Sequence, residues 1–254
     1  MTQGKVTLNI ENHIGTIAFF HPSSNALPGA VLQKLADTIT EADKNEDVRV
    51  IVVRSAGDRA FCAGASFDEL LAIDNTEDGL KFFSGFATVI NAMRKTSKLI
   101  IGRVQGKAVG GGVGVASSFD YCFATKHAAV KLSELAVGIG PFVVGPAVER
   151  KAGLSAMSAL AINATEWKDA EWAREKGIYN DVFDTAEEMD EYIQTLANKL
   201  AASNPEAMKE LKRIFWAGTE HWDELLAERA AISGRLVLSD FTKNAISQFK
   251  AKSK

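Results

Sequence analysis

Two glycine-rich turns, each placed directly after an apolar strand-like run, constrain this sequence most. The turn FCAGAS at 61–66 follows the run 48–55, and the turn AVGGGVG at 108–114 continues the run 99–109. Glycine and alanine let the main chain approach a bound group closely, and N–H groups at a strand end or a helix start favour a developing negative charge. We therefore expect the two turns to aim N–H groups at one point, as the enolate of a thioester would require.

Strand-like and helix-like segments alternate over the first half of the chain. The predicted strands are 6–10, 15–20, 48–54, 99–104, 121–125 and 128–132. The predicted helices are a segment with apolar residues at Val31, Leu32, Leu35, Ile39 and Ala42, a segment at 77–95, and a segment from the second turn through Ser117. Alternation of this kind is typical of an α/β fold with a largely parallel sheet.

The second half of the chain has a different pattern. From about Ser133 the strand signal nearly vanishes, and only 178–183 still looks extended. Helix-period apolar residues recur in 185–202, 205–216, 222–237 and 241–250. The sequence therefore predicts an α/β core over residues 1–200, followed by a helical C-terminal region over residues 201–254.

Composition excludes several function classes. The 254 residues are 46% apolar and 24% charged, with a net charge of −3, so a sizeable core is expected and neither nucleic acid nor an anionic membrane is an expected partner. The apolar runs are too short to span a bilayer, and the N-terminus lacks the apolar segment of a secretory signal. Cys62 and Cys122 lack metal-type spacing. We expect a cytoplasmic protein with reduced thiols, in which Cys62 is a small buried apolar side chain.

The second turn has two other interpretations. Gly110 and Gly112 supply the first part of a dinucleotide-binding G-x-G-x-x-G pattern, and Glu134 stands where its ribose-binding acid would follow. Position 115 is Val115 rather than glycine, and no run of strand–helix–strand units follows, so this interpretation is disfavoured. No Lys-Ser or Lys-Thr follows the glycines, which excludes a P-loop. The second interpretation is a structural role in which the glycines only permit close packing.

Several segments share a pattern with one known group of proteins. They are Asn25-Ala26-Leu27, 47–53, 59–65, the glycines at 110–112, Phe119-Asp120-Tyr121 and Leu132-Ser133-Glu134. On these residues the chain resembles the crotonase superfamily, the enoyl-CoA hydratases and isomerases. The resemblance implies a spiral of ββα units with a helical C-terminal region, assembled as a homotrimer or hexamer. It also implies that the amides of Ala65 and Gly111 hold the thioester oxygen and that the 61–66 loop holds the adenine end of coenzyme A. No cofactor is implied beyond the coenzyme A of the acyl-CoA substrate.

The acidic residues depart from that family pattern. Hydratases of the superfamily use two glutamates, and the corresponding positions here are Gly114 and Glu134. Adding water to an enoyl thioester needs a base for the water and a proton for the α-carbon, tasks commonly divided between two carboxylates. Moving a double bond needs one base that removes a proton and returns it nearby. Gly114 therefore favours isomerisation with Glu134 as the single acid–base. Hydration stays open, because some hydratase-lyases of the family also use one glutamate.

Glu134 has mostly apolar neighbours, Val-Lys-Leu-Ser before it and Leu-Ala-Val-Gly after it. Such surroundings raise the pKa of a carboxyl toward that of a useful base, although a helix-capping or surface carboxylate is the other interpretation. Bulky residues follow at 141–144, where hydratases of the family have small ones. We expect Phe142 to narrow the acyl pocket or to displace a catalytic water.

The expected coenzyme A contacts involve both turns and their flanks. They are Arg59, Ala63, Ala65, Ser66, Gly111 and Phe142, with Lys243 and Lys250 as further candidates for the phosphates. The four histidines are scattered, so no metal site is expected. The tryptophans are expected in the core or at subunit contacts; they are Trp167, Trp172, Trp216 and Trp222.

Two functional alternatives remain beside isomerisation and simple hydration. One is a single-glutamate hydratase-lyase that acts on a branched or aromatic acyl-CoA. The other is a non-catalytic coenzyme A-binding or scaffold member that lost its activity together with the first glutamate. Retention of both turns and of Glu134 argues against this second alternative.

Overall fold

The computed structural model describes the backbone of residues 4–252 and the side chains of residues 4–248. The strands are β1 (Lys5–Glu11), β2 (Ile14–Phe20), β3 (Val50–Ser55), β4 (Leu99–Val104), β5 (Ala108–Val109), β6 (Tyr121–Thr125), β7 (Val130–Lys131) and β8 (Asp181–Phe183). The helices are α1 (Gly29–Lys44), α2 (Phe67–Leu71), α3 (Thr76–Lys95), α4 (Gly111–Ser117), α5 (Gly145–Ile162), α6 (Ala170–Glu175), α7 (Ala186–Ala201), α8 (Pro205–Phe215), α9 (Trp222–Leu236) and α10 (Asp240–Lys252). A 3₁₀ helix covers Glu134–Val137.

The main sheet has the strand order β1-β2-β3-β4-β6-β8. The β1–β2 hairpin is antiparallel, and every later pair in this sheet is parallel. β3 and β4 consist mostly of buried apolar residues because helices cover both faces of the sheet. Ile51 and Ile100 pack in the core that includes α1 and α3, whereas Val52 and Ile101 pack in the cluster that includes α7. This confirms the predicted α/β class with a largely parallel sheet.

A short second layer runs beside the main sheet. It consists of the parallel pair β5–β7 together with isolated bridges that join Leu27 to Ala65, Cys62 to Ala108 and Val130 to Lys168. After β3, β4 and β6 the chain passes through this layer and then enters a helix. The repeated strand–strand–helix turn confirms the expected spiral of ββα units. It also places the two glycine-rich turns side by side, because each one lies where the chain leaves the second layer.

The predicted strands of the first half are all present, with ends displaced by two residues or fewer. The 178–183 segment is shorter than expected, since only Asp181–Phe183 is extended. Three helices were not predicted, namely α2, α5 and α6. α2 has only five residues. In α5 the buried residues do not form one stripe, because Gly153 has a positive φ of 81° and kinks the helix. Because the kink changes which residues face the core, the apolar residues of α5 do not recur at a constant helical spacing along the sequence.

The C-terminal helices pack directly on the core. α9 lies against α3 at a contact between two glycines, where a Cβ on Gly79 would stand 2.7 Å from the carbonyl oxygen of Gly234. α10 is joined to the turn after the 3₁₀ helix, because the Thr242 hydroxyl donates to the carbonyl of Gly138 at 3.0 Å. Residues of α9 and α10 therefore reach the neighbourhood of Glu134. The division of the chain at residue 200 stays a prediction.

Candidate active site

Both glycine-rich turns line a single cavity of about 730 Å³. Ala63, Gly64 and Ala65 come from the first turn, and Val109, Gly110 and Gly111 come from the second. Glu134 and Phe142 line the same cavity. The structure therefore brings together most of the residues that the sequence predicted for the site, although they lie up to eighty residues apart in the chain.

The two turns approach each other closely at Gly64. Its φ is +91°, a conformation that favours glycine, and a Cβ at this position would stand 3.3 Å from the carbonyl oxygen of Val109 and 4.0 Å from the amide nitrogen of Gly111. Among the backbone groups of residues 4–252, no acceptor is hydrogen-bonded to the amides of Ala65 or Gly111. The Gly111 amide lies in the first turn of α4, whose N–H groups have no partner within the helix. Two free donors thus lie at one end of the cavity.

Glu134 opens the 3₁₀ helix and presents its carboxylate to the second turn. The residue as a whole is partly exposed, but the carboxylate oxygen Oε2 is inaccessible to solvent and has no hydrogen-bond partner within the described residues. Burial raises the pKa of this carboxyl from 4.5 to about 7, although a hydrogen bond from its own backbone acts in the opposite direction. The raised pKa that the apolar flanks predicted is therefore present. A carboxyl with this pKa exchanges a proton readily near neutral pH.

Gly110 links the turn to the carboxylate. Its φ of 52° lies in the region that L-residues rarely adopt, and a Cβ here would stand 2.8 Å from Oε1 of Glu134. The glycine is therefore required twice, once by the backbone and once by the approach of the carboxylate. Its own N–H donates to the carbonyl of Lys131 at 2.9 Å, which ties the turn to β7.

Gly114 has no room for a second carboxylate. A Cβ at this position would stand 2.7 Å from Cβ of Val144 and 2.5 Å from its Cγ1 atom. Val144 lines the cavity, and Gly114 is not among its described lining residues. The bulky segment after Glu134 therefore fills the space next to the position where the first glutamate of the hydratases would stand.

One wall of the cavity is strongly apolar. Its large side chains come from α2 and α3, and they are Phe67, Leu70, Phe82, Phe83 and Phe86. Phe142 lines the cavity from the segment that follows the 3₁₀ helix. Its expected role in narrowing the acyl pocket stays a prediction.

Two residues expected to contact coenzyme A do not line the cavity within the described part of the chain. Ser66 is the N-cap of α2, where its hydroxyl accepts a hydrogen bond from the amide of Glu69 at 3.4 Å. Arg59 is exposed on the loop that precedes the first turn. Lys243 is exposed on α10, and the side chain of Lys250 lies outside the described residues.

The remaining candidates are placed as follows. Cys62 is fully buried, and burial raises the pKa of its thiol to about 12, so it is the apolar core residue that was expected. No three His, Cys, Asp or Glu side chains within the described residues form a metal-binding group. Across residues 4–252, no helix combines the length and the apolar character that crossing a bilayer requires.

Sequence reasoning missed Lys131, which lines the cavity from β7. Trp167, expected in the core or at a subunit contact, is 38% exposed and lies beneath two lysine ammonium groups, so it is not a core residue, and its place at a subunit contact stays a prediction. The available signal was the lysine itself, since it interrupts the apolar run Ala-Val-Lys-Leu three residues before Glu134. Ser233, Ala245 and Gln248 of the C-terminal helices also line the cavity and could not be found from local patterns.

Comparison with known proteins gives a consistent result. A family model described as enoyl-CoA hydratase/isomerase matches residues 9–254. The short-chain-enoyl-CoA hydratase of Clostridium acetobutylicum is 28% identical over 257 residues, covering 100% of this chain and 97% of that protein. The peroxisomal Delta(3,5)-Delta(2,4)-dienoyl-CoA isomerase of Arabidopsis thaliana is 24% identical over 256 residues, covering 94% of this chain and 90% of that protein.

Solved structures share the fold over nearly the whole chain. The enoyl-CoA hydratase from Bacillus halodurans has a TM-score of 0.87 at 17% identity, covering 96% of this chain and 99% of that chain. The enoyl-CoA hydratase from Mycobacterium avium has a TM-score of 0.86 at 22% identity, covering 97% of this chain and 96% of that chain. At these identities the likeness shows the fold.

Proposed function

The chain belongs to the enoyl-CoA hydratase/isomerase family, and from that premise we propose that it isomerises the double bond of an enoyl-CoA with Glu134 as its single acid–base. The proposal depends on which ionisable side chains line the cavity. Glu134 is the one carboxylate among the described residues that line it. Its pKa of about 7, and an oxygen Oε2 that has no hydrogen-bond partner within the described residues, support a group that gains and loses a proton during the reaction.

The amides of Ala65 and Gly111 hold the thioester oxygen in the proposed mechanism. Loss of a proton from the α-carbon moves negative charge onto that oxygen, and donors already in place stabilise the charge without reorganisation. The close approach of the two turns at Gly64 and the absence of backbone acceptors for both amides within residues 4–252 support this assignment.

Glu134 carries the proton between two carbons. Its carboxylate removes a proton from C2 of a 3-enoyl-CoA, which gives a dienolate with its charge on the thioester oxygen. The protonated carboxyl then returns the proton to C4, and the double bond moves to C2–C3. The proton that leaves is the proton that returns, so the reaction needs no cofactor beyond the coenzyme A of the substrate. The apolar wall formed by α2 and α3 limits the access of water to the dienolate.

Hydration is the second candidate, and two observations favour it. Hydratases are among the similar proteins, including the relative from Clostridium acetobutylicum, and the cavity is large enough to admit water beside an acyl chain. A single-glutamate hydratase-lyase acting on a branched or aromatic acyl-CoA is a variant of this candidate. A non-catalytic coenzyme A-binding member is the remaining alternative, and the raised pKa of Glu134 argues against it.

We also propose that the chain assembles as a homotrimer or hexamer. Large apolar side chains are exposed on the C-terminal half of the described chain, among them Leu154, Ile162, Ile214 and Phe241. Exposed apolar surface on several helices favours burial against further copies of the chain.

The test measures whether an oxygen atom from water enters the product. Purified protein is incubated with 3-hexenoyl-CoA and with 2-hexenoyl-CoA in ¹⁸O-labelled water, and the products are identified by mass spectrometry, with enzyme-free reactions as controls. We expect 2-hexenoyl-CoA to form from the 3-enoyl substrate without ¹⁸O. Rapid formation of 3-hydroxyhexanoyl-CoA that carries ¹⁸O would show that the enzyme is a hydratase and would overturn the proposed isomerisation. Binding of coenzyme A thioesters without turnover of either substrate would favour the non-catalytic alternative.

A further inference from the structure

Two lysines and a tryptophan form a cluster at one wall of the cavity. The Nζ atom of Lys131 lies 4.4 Å from the ring centroid of Trp167, and the Nζ atom of Lys107 lies 4.7 Å from it. Lys131 lines the cavity, as do Ala164 and Thr165 from the segment that carries Trp167. The lysine–tryptophan cluster, consisting of Lys107, Lys131 and Trp167, is thus continuous with the candidate active site.

The second layer of the fold orients Lys131 of this cluster toward the cavity. β5 and β7 pair in parallel with Val109 opposite Lys131, and both residues line the cavity. Successive side chains of a strand point to opposite faces. Val130 is accordingly fully buried in the core, whereas Lys107, two residues before Val109, is exposed and is not among the described residues that line the cavity. The register therefore places Lys131 on the face that carries the active site.

Neither lysine of the cluster has an anionic partner in the part of the chain that the structure describes. Within the described residues no carboxylate forms an ion pair with Lys107 or Lys131, and their side chains make no hydrogen bond. Glu166, the acid next to Trp167, is paired with Lys168 at 3.0 Å. Oε2 of Glu134 has no hydrogen-bond partner among the described residues either, and no ion pair there joins Lys131 to this carboxylate. Partial burial and the charge of Lys107 both lower the pKa of Lys131, as expected for neighbouring cations that lack a counter-ion.

Lys131 is the one cation among the described residues that line the cavity. We propose that the lysine–tryptophan cluster binds a second anionic group on the acyl chain, so that the substrate is the coenzyme A monothioester of a dicarboxylic acid. A carboxylate at the Lys131 ammonium, with the charge of Lys107 nearby, would supply the missing counter-ion and form a charge-assisted hydrogen bond. The inference rests on the proposed function, because it names the substrate class of that same site.

The position of Lys131 favours the acyl chain over the phosphates of coenzyme A. Its carbonyl accepts the hydrogen bond of Gly110, so its backbone is about one strand spacing, roughly 4.8 Å, from the turn that holds the thioester oxygen. The pantetheine arm separates the phosphates from the thioester, whereas a carboxylate at the end of a short acyl chain lies close to it. The flexible lysine side chain spans the remaining distance.

The test compares two substrates of equal length, 3-hexenoyl-CoA and the monothioester 3-hexenedioyl-CoA, which differ only by a terminal carboxylate. It uses the full-length protein, a Lys131→Met variant and a control Lys126→Met variant. Lys126 is an exposed lysine that is paired with Asp184. Methionine keeps the length of the side chain and removes its charge. In the unmodified protein we expect the ratio of kcat/KM for the dicarboxylic substrate to that for the neutral one to exceed one. Lys131→Met should lower this ratio about 10- to 100-fold, and Lys126→Met should not change it.

Binding of unreactive thioesters separates this inference from the proposed reaction. Dissociation constants of adipoyl-CoA and hexanoyl-CoA are measured by calorimetry for the same three proteins. Preference of the unmodified protein for adipoyl-CoA, lost in Lys131→Met, supports the inference even where no turnover is seen, and the proposed reaction alone then fails. Equal weakening of both ligands in Lys131→Met would overturn the inference and assign Lys131 to the coenzyme A phosphates. Equal affinity of the unmodified protein for both ligands would also overturn it.

Discussion

Asp120 and Glu134 are both carboxylates withdrawn from solvent, and the protein treats them in opposite ways. Asp120 accepts hydrogen bonds from the Lys212 ammonium at 2.7 and 3.0 Å, from the Trp216 indole at 2.8 Å and from the amide of Ile100 at 2.7 Å. The buried oxygen Oε2 of Glu134 accepts none within the described residues. One carboxylate is therefore saturated with donors, whereas the other keeps a bonding site open in a cavity.

The difference separates a structural carboxylate from one that is available for chemistry. The donors to Asp120 come from β4, from α8 and from Trp216 directly after α8, so its charge holds α8 against the sheet. Several donors would lose their acceptor at once if this carboxylate were removed, so its role is structural. No such network holds Glu134 in its ionised form, and its pKa lies near 7. Glu134, whose oxygen Oε2 has no donor within the described residues, can therefore change its charge during a reaction without breaking such a network.

The largest expected effect concerns the activity that depends on Glu134. Glu134→Gln removes the proton carrier while keeping the size of the side chain, so we expect turnover of a 3-enoyl-CoA to fall by roughly 10²- to 10⁴-fold. Steady-state kinetics gives the turnover, and calorimetry with an unreactive acyl-CoA checks that binding is retained. Activity within a few-fold of the unmodified protein would remove Glu134 from the mechanism.

Removing the charge of Asp120 should affect stability instead. Asp120→Asn leaves the buried ammonium of Lys212 without its counter-ion, which costs about 3–5 kcal/mol of unfolding free energy. Urea denaturation measures the loss, and activity per folded molecule should stay within a few-fold. The double variant Asp120→Asn/Lys212→Met, which removes the stranded cation, should recover part of the stability. A double variant no more stable than the single one would show that the charge of Lys212 is not the cause.

The pH dependence of stability gives the smallest and most specific effect. Burial raises the pKa of Glu134 from 4.5 to about 7, so ionisation of this group opposes folding. Below pH 4.5 the carboxyl is neutral in both the folded and the unfolded protein, and the free energy of unfolding is unaffected by its ionisation. As the pH rises through about 7, ionisation lowers the free energy of unfolding. Glutamine stays neutral throughout. Glu134→Gln should therefore match the unmodified protein in stability near pH 4 and exceed it by up to about 3 kcal/mol at pH 8. Parallel stability curves over this range would contradict a buried, titrating carboxylate.

Local sequence patterns were sufficient to predict much of the fold and the centre of the site. The turns at Gly64 and Gly110 follow apolar strands, and glycine lets the main chain of such turns approach a neighbouring group closely. Their convergence was therefore predictable. The apolar neighbours of Glu134 likewise predicted its raised pKa. In both cases the residues that signal the feature lie within a few positions of it in the sequence.

The remaining features depend on contacts between distant parts of the chain. Lys212 reaches Asp120 across 92 positions of the sequence, and no local pattern distinguishes it from an exposed lysine. The approach of Trp167 to Lys131 follows from the bridge between Val130 and Lys168, which exists only once the second layer has formed. Sequence reasoning therefore singled out the residue that we propose as the acid–base, and it missed the residues that we assign to substrate selection.

The contact between Gly114 and Val144 makes the evolutionary history of the site depend on the order of substitutions. A chain that acquires Glu at position 114 while Val144 is present carries an overpacked core, because the new Cβ would lie 2.7 Å from that of the valine. A chain that first exchanges Val144 for glycine opens the space and can then accept the acid. The two positions are thus epistatic, and the route toward a two-glutamate site is open only when position 144 changes before position 114.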